Sequence, residues 1–110
     1  MEISTSELKR VTLFEVNGRI DSTNATELGE ALNAAIDAGR THLVVDLSGV
    51  DYMSSAGLRE LVTALKKVKK GTGDLRLAEP SERVAEVLEL AGLDTIFSVY
   101  TTQVEAVGSF

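Results

Sequence analysis

The sequence predicts an α/β fold: a single mixed, largely parallel sheet of four to five strands with about four helices. Three observations predict it. Strand-like and helix-like hydrophobic periods alternate along most of the chain, which implies parallel pairing through right-handed crossovers. The run His42–Leu47 (HLVVDL) is too continuously apolar for a half-exposed strand and reads as a central strand covered on both faces. Finally, three of the helical patterns close on a glycine: Gly39, Gly71 and Gly92.

Each element has its own signal. Ile3 to Glu7 alternates weakly and suits an edge strand. Val11, Leu13, Phe14 and Val16 suit a second strand, with Asn17-Gly18 as the turn that closes it. Asn24 and Glu27 have capping-box spacing, with Asn in the Ser/Thr role. Leu28, Leu32, Ala35 and Ile36 then mark one face of a first helix. After the central strand, Leu58, Leu61, Val62, Leu65 and Val68 mark a second helix that starts near Ser55. Asp74 to Ala78 is a short strand. Pro80 fits the first turn of a third helix, with Val84, Val87, Leu88 and Ala91 as its apolar positions. Ile96 to Tyr100 reads as a last strand. Thr102 and Glu105 form another capping box, opening a short helix with Val104 and Val107.

The totals exclude whole classes of function. The chain has 110 residues, which suits one domain spanning residues 1–110. Hydrophobic residues make up 44% and charged residues 25%, as in an ordinary globule. No apolar run approaches the ~20 residues of a membrane span, and MEISTSELKR lacks a signal-peptide core. With no cysteine there are no disulfides or thiolate metal sites, and a cytoplasmic location is the default expectation. The net charge of −6 disfavours direct nucleic-acid or membrane-surface binding. The one local basic run, Lys66, Lys67, Lys69 and Lys70, complements the dipole at the end of the second helix.

The stretch SGVDYMSSAG joins the central strand to that helix, where α/β proteins commonly put their sites. Ser54 and Ser55 stand where the helix begins, so a hydroxyl there lies beside free N–H groups. A serine at this place can be an N-cap, a nucleophile or a phosphate acceptor. The nucleophile fails. MSSAG keeps only the second half of a G-x-S-x-G elbow, and the only histidine, His42, opens the central strand at the end opposite the serines. The chain is therefore not expected to be an enzyme. Phosphate-binding loops are absent and the carboxylates are scattered along helix faces, so neither a cofactor nor a metal is expected. A phospho-receiver built on Asp46 lacks its acidic pair, because the early turn offers Asp21 alone. N-cap and phosphoacceptor both stay open on the residues themselves. A phosphoserine at a helix N-terminus adds roughly two negative charges where the fold tolerates them, which is the profile of a binding switch.

The stretch Asp46–Leu58 (DLSGVDYMSSAGL) resembles the signature of STAS domains, specifically the bacterial anti-sigma factor antagonists. Gly18-Arg19-Ile20-Asp21 resembles the family's G-x-[IL]-D turn. Gly92 to Phe97 resembles its GL-x-x-x-F segment, and Val99-Tyr100 with the terminal helix resembles its ending. The resemblance implies the STAS fold. It also implies an anti-sigma factor that is a serine-protein kinase as partner, phosphorylation of a motif serine that ends binding, and a PP2C-type phosphatase that restores it. In the commonest motif, Asp-Ser-Ser/Thr-Gly, Ser55 matches the first serine and Gly57 the glycine. Ala56 takes the second hydroxyl position and Ser54 replaces the aspartate. Ser55 is thus the implied phosphoacceptor, with Ser54 as second choice. Asp21 matches the turn aspartate that lies near the phosphorylation site in the family, and is expected either to hydrogen-bond its own turn at the helix entry or, with Gly57 and the serines, to contact the partner.

The implied docking face runs from the turn Asp51 to Ser55 along the second helix. Arg59, Glu60 and Thr63 point away from its apolar stripe and are contact candidates. STAS domains also serve, without a phosphoswitch, as adaptor subunits of stress-signalling or transport assemblies. That is the alternative expectation.

Overall fold

The computed structural model describes residues 1–110. In chain order, β1 (Glu2–Leu8) and β2 (Val11–Ile20) form a hairpin. Then follow α1 (Ala25–Asp37), β3 (His42–Met53), α2 (Ser55–Lys69), β4 (Asp74–Ala78) and α3 (Glu82–Leu90). A 3-10 turn (Leu93–Thr95), β5 (Val99–Tyr100) and α4 (Gln103–Gly108) complete the chain. The five strands lie in sequence order, β1-β2-β3-β4-β5. Only β1 and β2 pair antiparallel, so the sheet is mixed and mostly parallel, as predicted.

The strand order decides where the helices go. Each parallel crossover moves one strand along in the same direction, so right-handed connections put α1, α2 and α3 on one face of the sheet. There Leu28 and Leu32 of α1, Leu61 and Leu65 of α2, and Val84 and Leu88 of α3 meet Phe14, Val16, Val45, Leu75 and Leu77 of the strands. Side chains of this size contribute about 1.5–3 kcal/mol each when fully buried. The short α4 alone covers the other face, where Ala106 seals Val11, Leu13, Val44 and Ala78. Leu43 to Leu47 is consequently buried without a break, which explains its continuous apolar pattern.

Local expectations are corrected in four places: the β2–β3 ladder, the cap of α1, the third helix and the last strand. Asn17-Gly18 does not close β2, which runs on to Ile20. The pair lies inside the β2–β3 ladder, where β3 carries one extra residue between Asp46 and Gly49 and another between Val50 and Tyr52. These bulges also carry β3 through the polar stretch to Met53, so Asp51 belongs to a strand rather than to a turn. Asn24 stands at the N-cap of α1 but makes no side-chain cap. Its amide instead reaches back, accepting from Asp21 N (2.9 Å) and donating to the Arg19 carbonyl (2.9 Å).

Third, α3 starts two residues after the proline. Ser81 is the cap, accepting from Val84 N while donating to the Val50 carbonyl, and Pro80 stands outside the helix. Ala91 is likewise its exposed C-cap rather than a core position. Fourth, the last strand shrinks to Val99–Tyr100, because Leu93–Thr95 forms a 3-10 turn that tucks Phe97 into the core and leaves Ile96 exposed. Thr102 does cap α4, accepting from Glu105 N (3.1 Å).

Candidate functional site

The ends of β2 and β3 and the start of α2 meet at the carboxyl edge of the sheet. One backbone bond ties them, Ser54 N to the Ile20 carbonyl (2.9 Å). Gly57 lets them close. A Cβ built there would come within 2.7 Å of Ile20 Cγ2 and 3.0 Å of Met53 Cγ, both in buried side chains. A larger residue fits only if these buried side chains or the helix shift.

The two serines take different places. Ser54 is extended, half-buried, and the N-cap of α2, its Oγ accepting from Gly57 N (3.5 Å). Ser55 is the first residue of the helix and is exposed, and its hydroxyl makes no hydrogen bond within the protein. The amides of this first turn and the dipole behind them favour an anion at that hydroxyl. Arg59 and Thr63 are exposed and follow Ser55 at successive four-residue steps, so the three share one helical face.

Asp21 lies one residue beyond Ile20, on the other side of the tie to Ser54. It accepts from both the hydroxyl and the amide of Thr23 and pairs with Arg19 Nε (3.2 Å). The Thr23 bonds, with a smaller part from Arg19, hold its carboxyl below its ordinary pKa despite some desolvation.

The remaining predicted site residues separate. Asp51 is exposed at the second β3 bulge. Gly57 is buried and presents no surface. Glu60 does not point freely outward as expected: its carboxylate lies over Gly29 of α1, in the space a side chain there would fill. It sits at the edge of the α1–α2 contact, on the flank that helical periodicity alone does not assign.

The sequence marks Arg19 only within the Gly18–Asp21 turn and Tyr52 only within the Asp51–Ser55 turn, and does not mark their pairing. The Arg19 guanidinium carbon stands 4.0 Å from the centre of the Tyr52 ring, and the Asp21 carboxylate holds the same guanidinium. Arg19 is exposed and Tyr52 half-buried, and both are residue types enriched among the anchors of protein interfaces. The pair's only sequence signal is the outward alternation of Arg19 and Asp21 around Ile20. The bulge at Asp51 is what brings Tyr52 opposite Arg19.

The STAS-domain family model matches residues 2–106. The chain belongs to the STAS-domain family. BtrV of Bordetella bronchiseptica, provisionally named an anti-sigma factor antagonist, is 33% identical over 110 residues, covering 100% of this chain and 95% of BtrV. The crystal structure of an anti-sigma factor antagonist from Mycobacterium paratuberculosis superposes with a TM-score of 0.90 at 29% identity, covering 98% of this chain and 92% of that one. SpoIIAA of Bacillus, solved in its phosphorylated form, superposes at 0.79 over 98% of each chain. At 18% identity, that likeness concerns the fold alone. BtrV and the mycobacterial relative thus carry the name of regulators rather than of enzymes. No helix of this STAS domain is long and apolar enough to cross a membrane.

Proposed function

We propose that this STAS domain is an anti-sigma factor antagonist switched by phosphorylation of Ser55. Its partner is an anti-sigma factor that is also a serine-protein kinase. Binding releases a sigma factor in the cytoplasm, phosphorylation ends binding, and a PP2C-type phosphatase restores it. The observation that carries this reading is the division of labour at the start of α2. The Ser54 hydroxyl is engaged as the cap, while the Ser55 hydroxyl is exposed and free. The names of BtrV and of the mycobacterial relative support the same class.

The docking face consists of Asp21, Asp51 and Ser55 with Arg59 and Thr63, and Arg19 and Tyr52 extend it. A phosphate on Ser55 meets the first-turn amides and has Arg59 one turn further along the same face, so the fold holds. The partner, by contrast, must desolvate or face the added charge. A penalty of about 3 kcal/mol weakens binding on the order of 100-fold.

The test is to incubate the protein with ATP and its cognate kinase and to read intact and tryptic masses. Phosphate on Ser55, lost in Ser55→Ala and removed by a PP2C-type phosphatase, is the expected result. An active kinase that binds the protein yet leaves Ser55 unmodified refutes the switch. If no kinase binds at all, the domain acts as an adaptor instead.

A further inference from the structure

The end of the sheet opposite the serines holds a concavity that the switch does not use. A slot of about 270 Å³ opens between the β1–β2 hairpin and the end of α4. Leu8 and Val11 of the hairpin and Val107 and Phe110 of the C-terminal segment give it an apolar lining, and His42 adds to it from the start of β3. The volume lies just below the ~300–1,000 Å³ usual for small-molecule sites. A second cleft of about 310 Å³ shares Lys9, Arg10 and His42 with the slot and adds Arg40 and Thr41. It has no apolar lining residue. Slot and cleft together have one greasy half and one cationic half.

Two features show that the concavity is built rather than incidental. Its Phe110 wall is fixed: the ring stacks on His42 with centroids 4.9 Å apart, and the Arg76 guanidinium lies 3.9 Å over it. Arg76 is itself anchored by Asp74 (3.0 Å) and Ser109 (2.8 Å). The mouth is held in an unfavourable conformation. Lys9, the first residue of the two-residue hairpin loop, has φ +58, which favours glycine or asparagine. Lysine there costs stability, and such strain is often kept for a site.

The charges point the same way. In a chain of net charge −6, Lys9 and Arg10 form no ion pair. Of the carboxylates on adjoining segments, Glu7 is engaged by Arg40 (3.3 Å) and Asp74 by Arg76 (3.0 Å) and Lys69 (3.7 Å). The free cations therefore face the concavity with no internal partner.

We propose that this concavity binds a small amphipathic organic anion, a carboxylate on a short aliphatic body. The body lies against Val11, Val107 and Phe110, and the head group sits among Lys9, Arg10 and Arg40. The site is independent of the phosphoswitch and stands or falls separately from it.

The test uses octanoate as the probe, followed by amide chemical shifts of the full chain. Acetate supplies the head group alone and 1-octanol the body alone. The expected result is saturable shifts at Leu8–Val11, His42 and Val107, with acetate and octanol each at least about tenfold weaker. The variant Lys9→Gly/Arg10→Gln removes both free charges while easing the hairpin turn. It should weaken octanoate by about tenfold or more and leave octanol unchanged. No saturable shift up to about 10 mM octanoate, far weaker than a useful affinity, overturns the proposal. So does binding that the double variant leaves intact. Shifts at the same amides that depend on protein concentration alone also overturn it, because a second copy of the chain then fills the slot.

Discussion

Replacing Gly57 by alanine tests how the motif is built. Helix propensity taken alone makes the change favourable by up to about 1 kcal/mol, since Gly57 lies in the first turn of α2. The structure predicts the opposite sign. The new methyl would stand 2.7 Å from Ile20 Cγ2 and 3.0 Å from Met53 Cγ, where carbon atoms need about 3.5–4.0 Å. Ile20 is fully buried and Met53 almost so, and neither can swing into solvent. Overpacking of this kind costs about 1–3 kcal/mol, so the net loss should be about 1–2 kcal/mol. Urea unfolding would show a lower midpoint at unchanged slope, and the melting temperature would fall by roughly 4–8 °C. Ile20→Ala removes the nearer of the two clashing atoms. In the double variant the two losses should therefore be less than additive, with a coupling above about 0.5 kcal/mol. A Gly57→Ala protein as stable as the parent, or additive losses in the double variant, would refute the close-approach reasoning.

Other perturbations separate further parts of the argument. Ser54→Ala removes the α2 cap and should cost about 1 kcal/mol in urea unfolding, whereas Ser55→Ala should stay within ~0.5 kcal/mol of the parent. Asp21 has a depressed pKa in the folded state, so its contribution is present above the unfolded pKa and is lost as pH falls through the folded value. Thr23→Val deletes one of its two Thr23 hydrogen bonds and should move the Asp21 carboxyl titration upward by carbon-detected NMR. Gln103 Nε2 bridges Asp46 (2.7 Å) and Glu15 (3.1 Å), and its backbone N–H is accepted by Glu79 (3.0 Å). Gln103→Ala leaves the nearly buried Asp46 facing Glu15 without that donor, and should cost about 1–3 kcal/mol while speeding amide exchange in α4.

The features that were legible in the sequence are those set by neighbours in the chain. A helix writes its buried face into the spacing of Leu58, Leu61, Leu65 and Val68, and a buried parallel strand into Leu43–Leu47. The serine pair could be placed at the start of α2 for the same reason, since an apolar stripe following a strand fixes where the helix begins. His42 and the serines could be assigned to opposite ends of β3 from direction alone.

Tertiary structure decided what depends on residues far apart in the chain. The β3 bulges exist only in the pairing with β2, so the sequence showed a turn where the structure has a strand. Asn24 has the spacing of a cap, but two better partners in the preceding turn claim its amide. Glu60 occupies the flank of α2, and only the small residue Gly29 on α1 makes that flank an interface. Gln103 meets Glu15 and Asp46 across 88 and 57 residues, and no local pattern encodes that meeting. The difference between Ser54 and Ser55 is of the same kind. Local propensity selects a serine to begin the helix, but the hydrogen bond from Ser54 N to Ile20 anchors one of the two and leaves the other hydroxyl open to solvent.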